Sequence, residues 1–232
     1  MKTLIPTLGS RLQTAGADIR GFSGAGPAPA PLESAEIGPG WGFLTKSGWN
    51  GQFAFKLSRE SVREEISFFD KVFVPPGEYR FFGLNGYFQT AMGGLLSAVV
   101  TLNAGSFYDG RRVTVGLRPT WGISSDLTLS GYYEFNRVEF PDRGQKLIAQ
   151  IAQVRLLATL STKFSASAFI QYDSAVDAVV ANVRFRYNPR EGNDLYLVIN
   201  EGLNTNRGVK TPRPPFYDNR AVMIKYSYTF NL

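Results

Sequence analysis

A two-residue periodicity governs this chain, and it is plainest where the sequence ends. From Asn219 to Leu232, Val222, Ile224, Tyr226, Tyr228, Phe230 and Leu232 fall on one face, with Ala221, Met223, Lys225, Ser227, Thr229 and Asn231 on the other. Successive side chains leave opposite faces of an extended backbone, so this alternation reads as a strand. One face is oily and ends in aromatic rings, which suits a strand standing in lipid with its rings at headgroup level. A soluble antiparallel sheet with one wet face is the competing reading of alternation alone.

The pattern recurs along most of the chain. Val113, Val115, Leu117 and Trp121 oppose Arg112, Thr114, Arg118 and Thr120, and Leu127, Leu129, Tyr133 and Phe135 oppose Thr128, Ser130, Tyr132 and Glu134. Leu147–Ser161, Phe164–Tyr172, Val179–Tyr187 and Asp194–Glu201 follow suit, and an irregular strand with Ala35, Ile37, Trp41 and Phe43 on one face, then Gln52–Leu57, Glu78–Thr90 and Leu95–Phe107, precede them. About eleven strands result. Asp109-Gly110 predicts a type I′ hairpin turn, because both residues tolerate positive φ. Residues 1–31 are weakly patterned, with a strand remnant at Leu12–Arg20 and a Gly/Pro/Ala run at Gly21–Pro31, and read as an irregular segment or linker. Residues 32–232 read as the β domain.

Connections sort by length. If Leu232 marks a periplasmic end, the short Gly122–Ser124, Ser161–Lys163 and Asn188–Asn193 share that end, while Ser58–Gly77, Glu139–Gln145 and Leu203–Asp218 lie at the other. Short turns inside and long loops outside is the outer-membrane barrel rule, which a sandwich has no reason to obey. Within Ser58–Gly77, Val62 and Ile66 at spacing four allow either a short helix or a strand extension.

Composition removes whole classes of chemistry. The 232 residues include no Cys and no His, so disulfides, thiolate metal sites and histidine-based acid–base or nucleophilic centres are excluded. No metal, cofactor or enzymatic activity is expected. The carboxylates Glu60, Glu64, Glu65, Asp70, Asp173 and Asp177 are not fixed as an opposed pair of the kind a glycosidase needs. The charge of +6 is scattered through alternating strands without a basic run, so nucleic acid is not an expected partner. No window approaches the ~18 to 20 consecutive apolar residues of a spanning helix. The mean hydropathy of −0.13 is blind to barrels, whose strands place only alternate residues in lipid. Met1–Ser10 has no apolar core or small-residue cleavage site and does not read as an export signal. The expectation is a start lying upstream, or a piece of a longer chain.

Four stretches, Phe73–Arg80 (FVPPGEYR), Phe107–Arg112 (FYDGRR), Tyr187–Leu195 (YNPREGNDL) and Asn200–Arg207 (NEGLNTNR), resemble an uncharacterised bacterial family. Its long members carry a signal peptide, a carbohydrate-binding-like module of the family 9 type and a carboxy-terminal barrel domain of unknown function. The resemblance runs from about Leu32 to Leu232 and covers the last part of that barrel. It implies an outer-membrane protein connected with glycans, although the module that would hold the sugar has no counterpart in this sequence.

The expectation is thus an all-β, transmembrane, antiparallel up-and-down β-barrel of about 10–12 strands, or an incomplete portion of a larger one, in a bacterial outer membrane. It acts as a passive pore, or as a membrane anchor for a partner or module handling glycans. The alternative is a soluble β-sandwich that binds carbohydrate. Alternation turns Arg112, Arg118, Glu134, Arg155, Arg184, Arg186 and Lys225 toward the lumen, because a charge on the lipid face costs ~2–4 kcal/mol at the midplane. Those residues either form a constriction that favours anions or fill a narrow barrel as an ion-paired plug. Outer-membrane lipid and lipopolysaccharide are expected partners, the latter through Arg207, Lys210 and Arg213. A further partner protein is allowed, and the barrel-assembly machinery would read Tyr226, Tyr228, Phe230 and Leu232.

Overall fold

The computed structural model describes residues 11–23, 32–69, 71–208 and 211–229, with side chains from 35 onward. The strands are β1 Arg11–Ser23, β2 Leu32–Leu44, β3 Asn50–Val62, β4 Ile66–Phe68, β5 Val72–Val74, β6 Gly77–Gln89, β7 Leu96–Phe107 and β8 Gly110–Gly122, then β9 Leu127–Phe140, β10 Gln145–Thr159, β11 Phe164–Asp173, β12 Ala178–Arg190, β13 Asn193–Asn204 and β14 Tyr217–Tyr228. Twelve of them form one sheet in the order β1-β2-β3-β6-β7-β8-β9-β10-β11-β12-β13-β14, and β4 and β5 pair separately. The fold is all-β, antiparallel and up-and-down, with a strand number inside the expected range. Among the described residues β1 and β14 stand at the two ends of the order, as in an incomplete portion of a barrel.

The strands of the large sheet run from 10 residues in β11 to 15 in β10, against a usual strand of about 5–6. In β3 exposure alternates: Phe53, Phe55, Leu57 and Arg59 are exposed while Ala54, Lys56, Ser58 and Glu60 are half-buried. Paired residues share a face, so the register carries each face from strand to strand. Leu156, Ala168, Val183, Ile199 and Val222 form one row of the apolar face, and Leu157, Ser167, Arg184, Val198 and Met223 the next row of the other.

Contacts group into two compact units: Met1–Gly93 with Ser97–Leu117 and Glu134–Ala149, and Gly94–Leu96 with Arg118–Tyr133 and Gln150–Leu232. The first holds the buried hydrophobic core, which is small. Val62, Val72, Val74, Val138, Phe140 and Leu147 are the buried hydrophobics among the described residues, with Ile66, Phe68, Tyr79, Phe107 and Tyr108 packed on them. Val72 and Val74 belong to the β4–β5 hairpin, whereas Val138 and Phe140 end β9 on the same face as Asn136. The hairpin therefore folds onto the polar face at its loop end, where that face turns apolar. Gln145 Oε1 accepts from the Phe73 N–H at 3.1 Å, the Arg143 guanidinium donates to the Phe73 carbonyl, and Tyr79 Oη donates to Pro75 O at 2.7 Å.

Several local expectations change. Residues 1–31 are not wholly irregular, because Arg11–Ser23 is the uncounted twelfth strand, with Ile19 opposite Ile37 and Leu12 opposite Phe43. A register shift between Leu12 and Thr14 breaks the two-residue period, and so hid the strand. The Gly/Pro run from 24 to 31 lies outside the described residues. Among its described residues Ser58–Gly77 holds no helix: β3 continues to Val62, and Ile66 pairs with Val74 in the small hairpin. The spacing of Val62 and Ile66 reflects two strands facing one core. Glu139–Gln145 shrinks to a 3-10 turn, Pro141–Arg143, closed by Gly144 at φ 62°. Among the described residues, the long connections at the loop end are 63–76 and 205–216.

The Asp109-Gly110 hairpin turn is shifted by one residue. Tyr108 and Asp109 make the turn, Tyr108 alone takes positive φ (54°), and Gly110 already belongs to β8. A Cβ on Gly110 would lie 2.2 Å from the Glu139 carbonyl oxygen. Glycine is there to let β9 approach, not to supply the turn.

Candidate functional site

The polar face of the first unit carries a cleft of about 270 Å³. Glu36 from β2, Lys56 and Ser58 from β3, Asn85 from β6, Asn103 from β7 and Arg112 from β8 supply its polar lining, with Phe81 and Phe107 beside them. Its floor is open because Gly83 and Gly105 face each other in register and neither projects a side chain. A Cβ on Gly105 would come within 2.2 Å of Phe82 O and 2.7 Å of Gly83 Cα. The glycine pair thus serves both close backbone approach and the space above it.

Charges in the cleft are partnered but remain half-exposed. Lys56 Nζ lies 2.5 Å from Glu36 Oε1. Arg112 Nε donates to Thr114 Oγ1 at 3.1 Å and Asn136 Oδ1 at 3.2 Å, and its guanidinium stands 5.3 Å over the Phe107 ring. Thr114 and Asn136 are themselves joined at 3.0 Å. Such fixing lowers the freedom of a long side chain and keeps its charge aimed across the face.

Aromatic rings link the cleft to the hairpin. Phe107 and Tyr108 have centroids 4.7 Å apart, Phe68 and Phe107 5.8 Å, and Tyr79 and Tyr108 5.1 Å. Tyr108 Oη donates to Glu60 Oε1 at 3.1 Å. Burial, reinforced by the Glu60 carboxylate, pushes the Tyr108 phenol up to about 12. Arg143 Nη2 reaches Asp109 Oδ1 at 2.6 Å, and the guanidinium covers the Phe140 ring at 4.0 Å.

The polar face of the second unit carries a ladder of arginines on rings. Arg118 stands 5.0 Å over Tyr132, Arg155 5.5 Å over Phe169 and Arg184 4.8 Å over Tyr196, within the reach of cation–π attraction. Arg186 Nε donates to Asp194 Oδ1 at 2.6 Å, and Asn188 Nδ2 donates to the same oxygen at 3.0 Å. Gln153 and Gln171 bond at 2.8 Å, and Asn182 donates to Asn200.

The structure places all seven lumen candidates on the polar face of their strands. Arg155, Arg184, Arg186 and Lys225 are tied to it by register, Lys225 facing Tyr196. Arg112 and Arg118 reach it by their contacts with Asn136 and Tyr132, and Glu134 lies between those two in β9. Sequence reasoning missed the partners. Asp173 accepts from the Ala175 N–H at 2.8 Å in its own turn. Sequence reasoning also missed the Lys56–Glu36 pair, although both residues lie opposite the oily side of their strands. Of the loop cations, Arg207 turns back to Pro214 O at 3.0 Å and covers Phe216 at 5.9 Å, while Lys210 lies outside the described residues. Tyr226 and Tyr228 are exposed on the apolar face at the short-turn end, and Phe230 and Leu232 fall outside the described residues.

No family model and no curated protein matches the chain. Among solved structures, a NanC porin in a rhombohedral crystal form aligns with 93% of this chain and 100% of that chain, at 11% identity and a TM-score of 0.36. So weak a likeness carries no weight, and function has to be read from the chain's own two faces.

Proposed function

We propose that the chain is the membrane-spanning β-barrel domain of a Gram-negative-type outer membrane protein, working without catalysis as a narrow passive pore. One observation carries this reading. The long strands carry an exposed oily face, with Leu57, Phe82 and Ile224 at 63%, 63% and 74% exposure, while the buried hydrophobics among the described residues form one cluster of six. A soluble sandwich of this length would bury that face against a second sheet, and among the described residues the second sheet has only β4 and β5. A 13-residue strand such as β3 is about 43 Å long. Tilted by about 40°, it covers the apolar thickness of an outer membrane.

Arg112, Arg118, Glu134, Arg155, Arg184, Arg186 and Lys225 would then line the interior and favour anions, with the β4–β5 hairpin narrowing the loop end. The seated hairpin also favours a second reading, a closed anchor for a glycan-handling module, in keeping with the family resemblance. Single-channel recording in planar bilayers separates the two. Val62 and Gly77 face each other in register, so an Asn-Gly turn replacing residues 63–76 joins β3 to β6 directly. The pore reading expects small anion-preferring channels in the parent, larger ones in the shortened chain and reduced preference in Arg112→Gln. No channels from either chain at any voltage refutes the pore and leaves the anchor.

A further inference from the structure

The apolar face of the first unit is not the same at its two ends. At the short-turn end it carries Trp41, Phe43, Phe53 and Phe88, with Trp49 of the adjoining turn packed edge-on against Phe88 at 5.3 Å. At the loop end it carries Arg59 and Arg80, which face each other in register, and Glu78, whose Oε2 is 3.2 Å from Arg59 Nε. Beside them on β8, β9 and β10 stand Arg111, Arg137 and Lys146 around the single carboxylate of Glu139. Arg111 Nη2 is 2.9 Å from Glu139 Oε2, while Arg137 Nε at 2.9 Å and Lys146 Nζ at 3.5 Å share Oε1. The Glu139 side chain is 12% exposed, whereas those of Arg111, Arg137 and Lys146 are 67%, 44% and 49% exposed.

This geometry is a cation triad organised by a covered anion, with two charges in excess and its spare donors facing outward. It stands on three adjacent strands about 4.8 Å apart, so the cations fall within the span of one or two phosphate groups. Arginine forks match phosphate oxygens bidentately. Aromatic rings at one end suit a zwitterionic leaflet, and a cationic band at the other suits an anionic one. We propose that Arg111, Arg137 and Lys146, held by Glu139, bind the phosphates of a phosphorylated glycolipid in the leaflet at the loop end. The inference rests on the outer-membrane reading and assigns the lipid contact to the strand rim, not to the 205–216 loop.

The test titrates the refolded full chain, in zwitterionic detergent, with bisphosphorylated lipid A, with the same lipid dephosphorylated, and with inorganic phosphate. Arg111→Gln/Arg137→Gln/Lys146→Gln is expected to weaken lipid A binding on the order of a hundredfold. Arg207→Gln/Arg213→Gln stays within about twofold, and the dephosphorylated lipid binds at least tenfold more weakly to the parent. If the triple variant does not refold, Arg137→Gln and Lys146→Gln singly are each expected to lose about fivefold. Variants that bind lipid A like the parent overturn the site, and so does full competition by equimolar inorganic phosphate, which makes the ligand the free ion. A parent chain that folds and stays dispersed without detergent, with no heat-dependent gel shift, overturns the membrane reading as well. A gel shift with unchanged lipid binding overturns the lipid site alone.

Discussion

Leu156 and Leu157 are neighbours in β10 with the same side chain and opposite fates. Their register rows, Ala168, Val183, Ile199 and Val222 for the first and Ser167, Arg184, Val198 and Met223 for the second, cross β11 to β14 near mid-strand. Both leucines are accessible, at 37% and 50%. In water, arginine at either position would shift stability by no more than about 0.5 kcal/mol. In a bilayer, Leu156→Arg puts a charge on the hydrocarbon side at mid-depth and costs ~2–4 kcal/mol. Leu157→Arg adds one more cation to a face that already carries Arg184, two strands away, at a cost of a few tenths of a kcal/mol. A gap of about 3 kcal/mol is roughly a 150-fold difference in the folded-to-unfolded ratio. Urea-titrated folding into phosphatidylcholine vesicles, read by heat-dependent gel mobility, measures it. Equal midpoints for the two variants would refute the assignment of faces, and a larger loss for Leu157→Arg would reverse it.

Two further outcomes test the hairpin and its surroundings. Phe140 is 1% exposed beneath β4–β5, so Phe140→Ala is expected to cost ~3–5 kcal/mol and to open residues 63–76 to limited proteolysis while the gel shift persists. Unchanged nicking would remove the hairpin from that core. Tyr108, in its turn, has a phenol raised to about 12, so its neutral form is the one the fold favours. Its contribution is intact below the free phenol's ~10 and is lost as pH climbs through about 12. The tyrosinate absorbance difference between the parent and Tyr108→Phe should titrate near that upper value, and a midpoint near 10 contradicts the buried geometry.

The sequence was most legible where one face is uniformly oily. Arg112–Trp121 alternates so cleanly that Arg112 and Arg118 fall on the same side as Thr114 and Thr120 with no knowledge of their neighbours. It was least legible where the period is interrupted. The shift between Leu12 and Thr14 concealed β1, and the apolar residues of 62–74 face a core rather than lipid, so their spacing imitates a helix. Asp109-Gly110 misled for a related reason: a glycine needed for the approach of β9 has the same spelling as one needed for a turn.

Chain order alone determined the two-faced strands, their antiparallel succession and the side of each strand that carries charge, because a period of two is a local property that survives ignorance of every partner. Only the tertiary structure decided what those side chains meet. Phe73 with Gln145, Arg143 with Asp109 and Glu139 with Arg111 are meetings between residues 72, 34 and 28 positions apart in sequence. Register sets them, and register is fixed by pairing across the whole sheet.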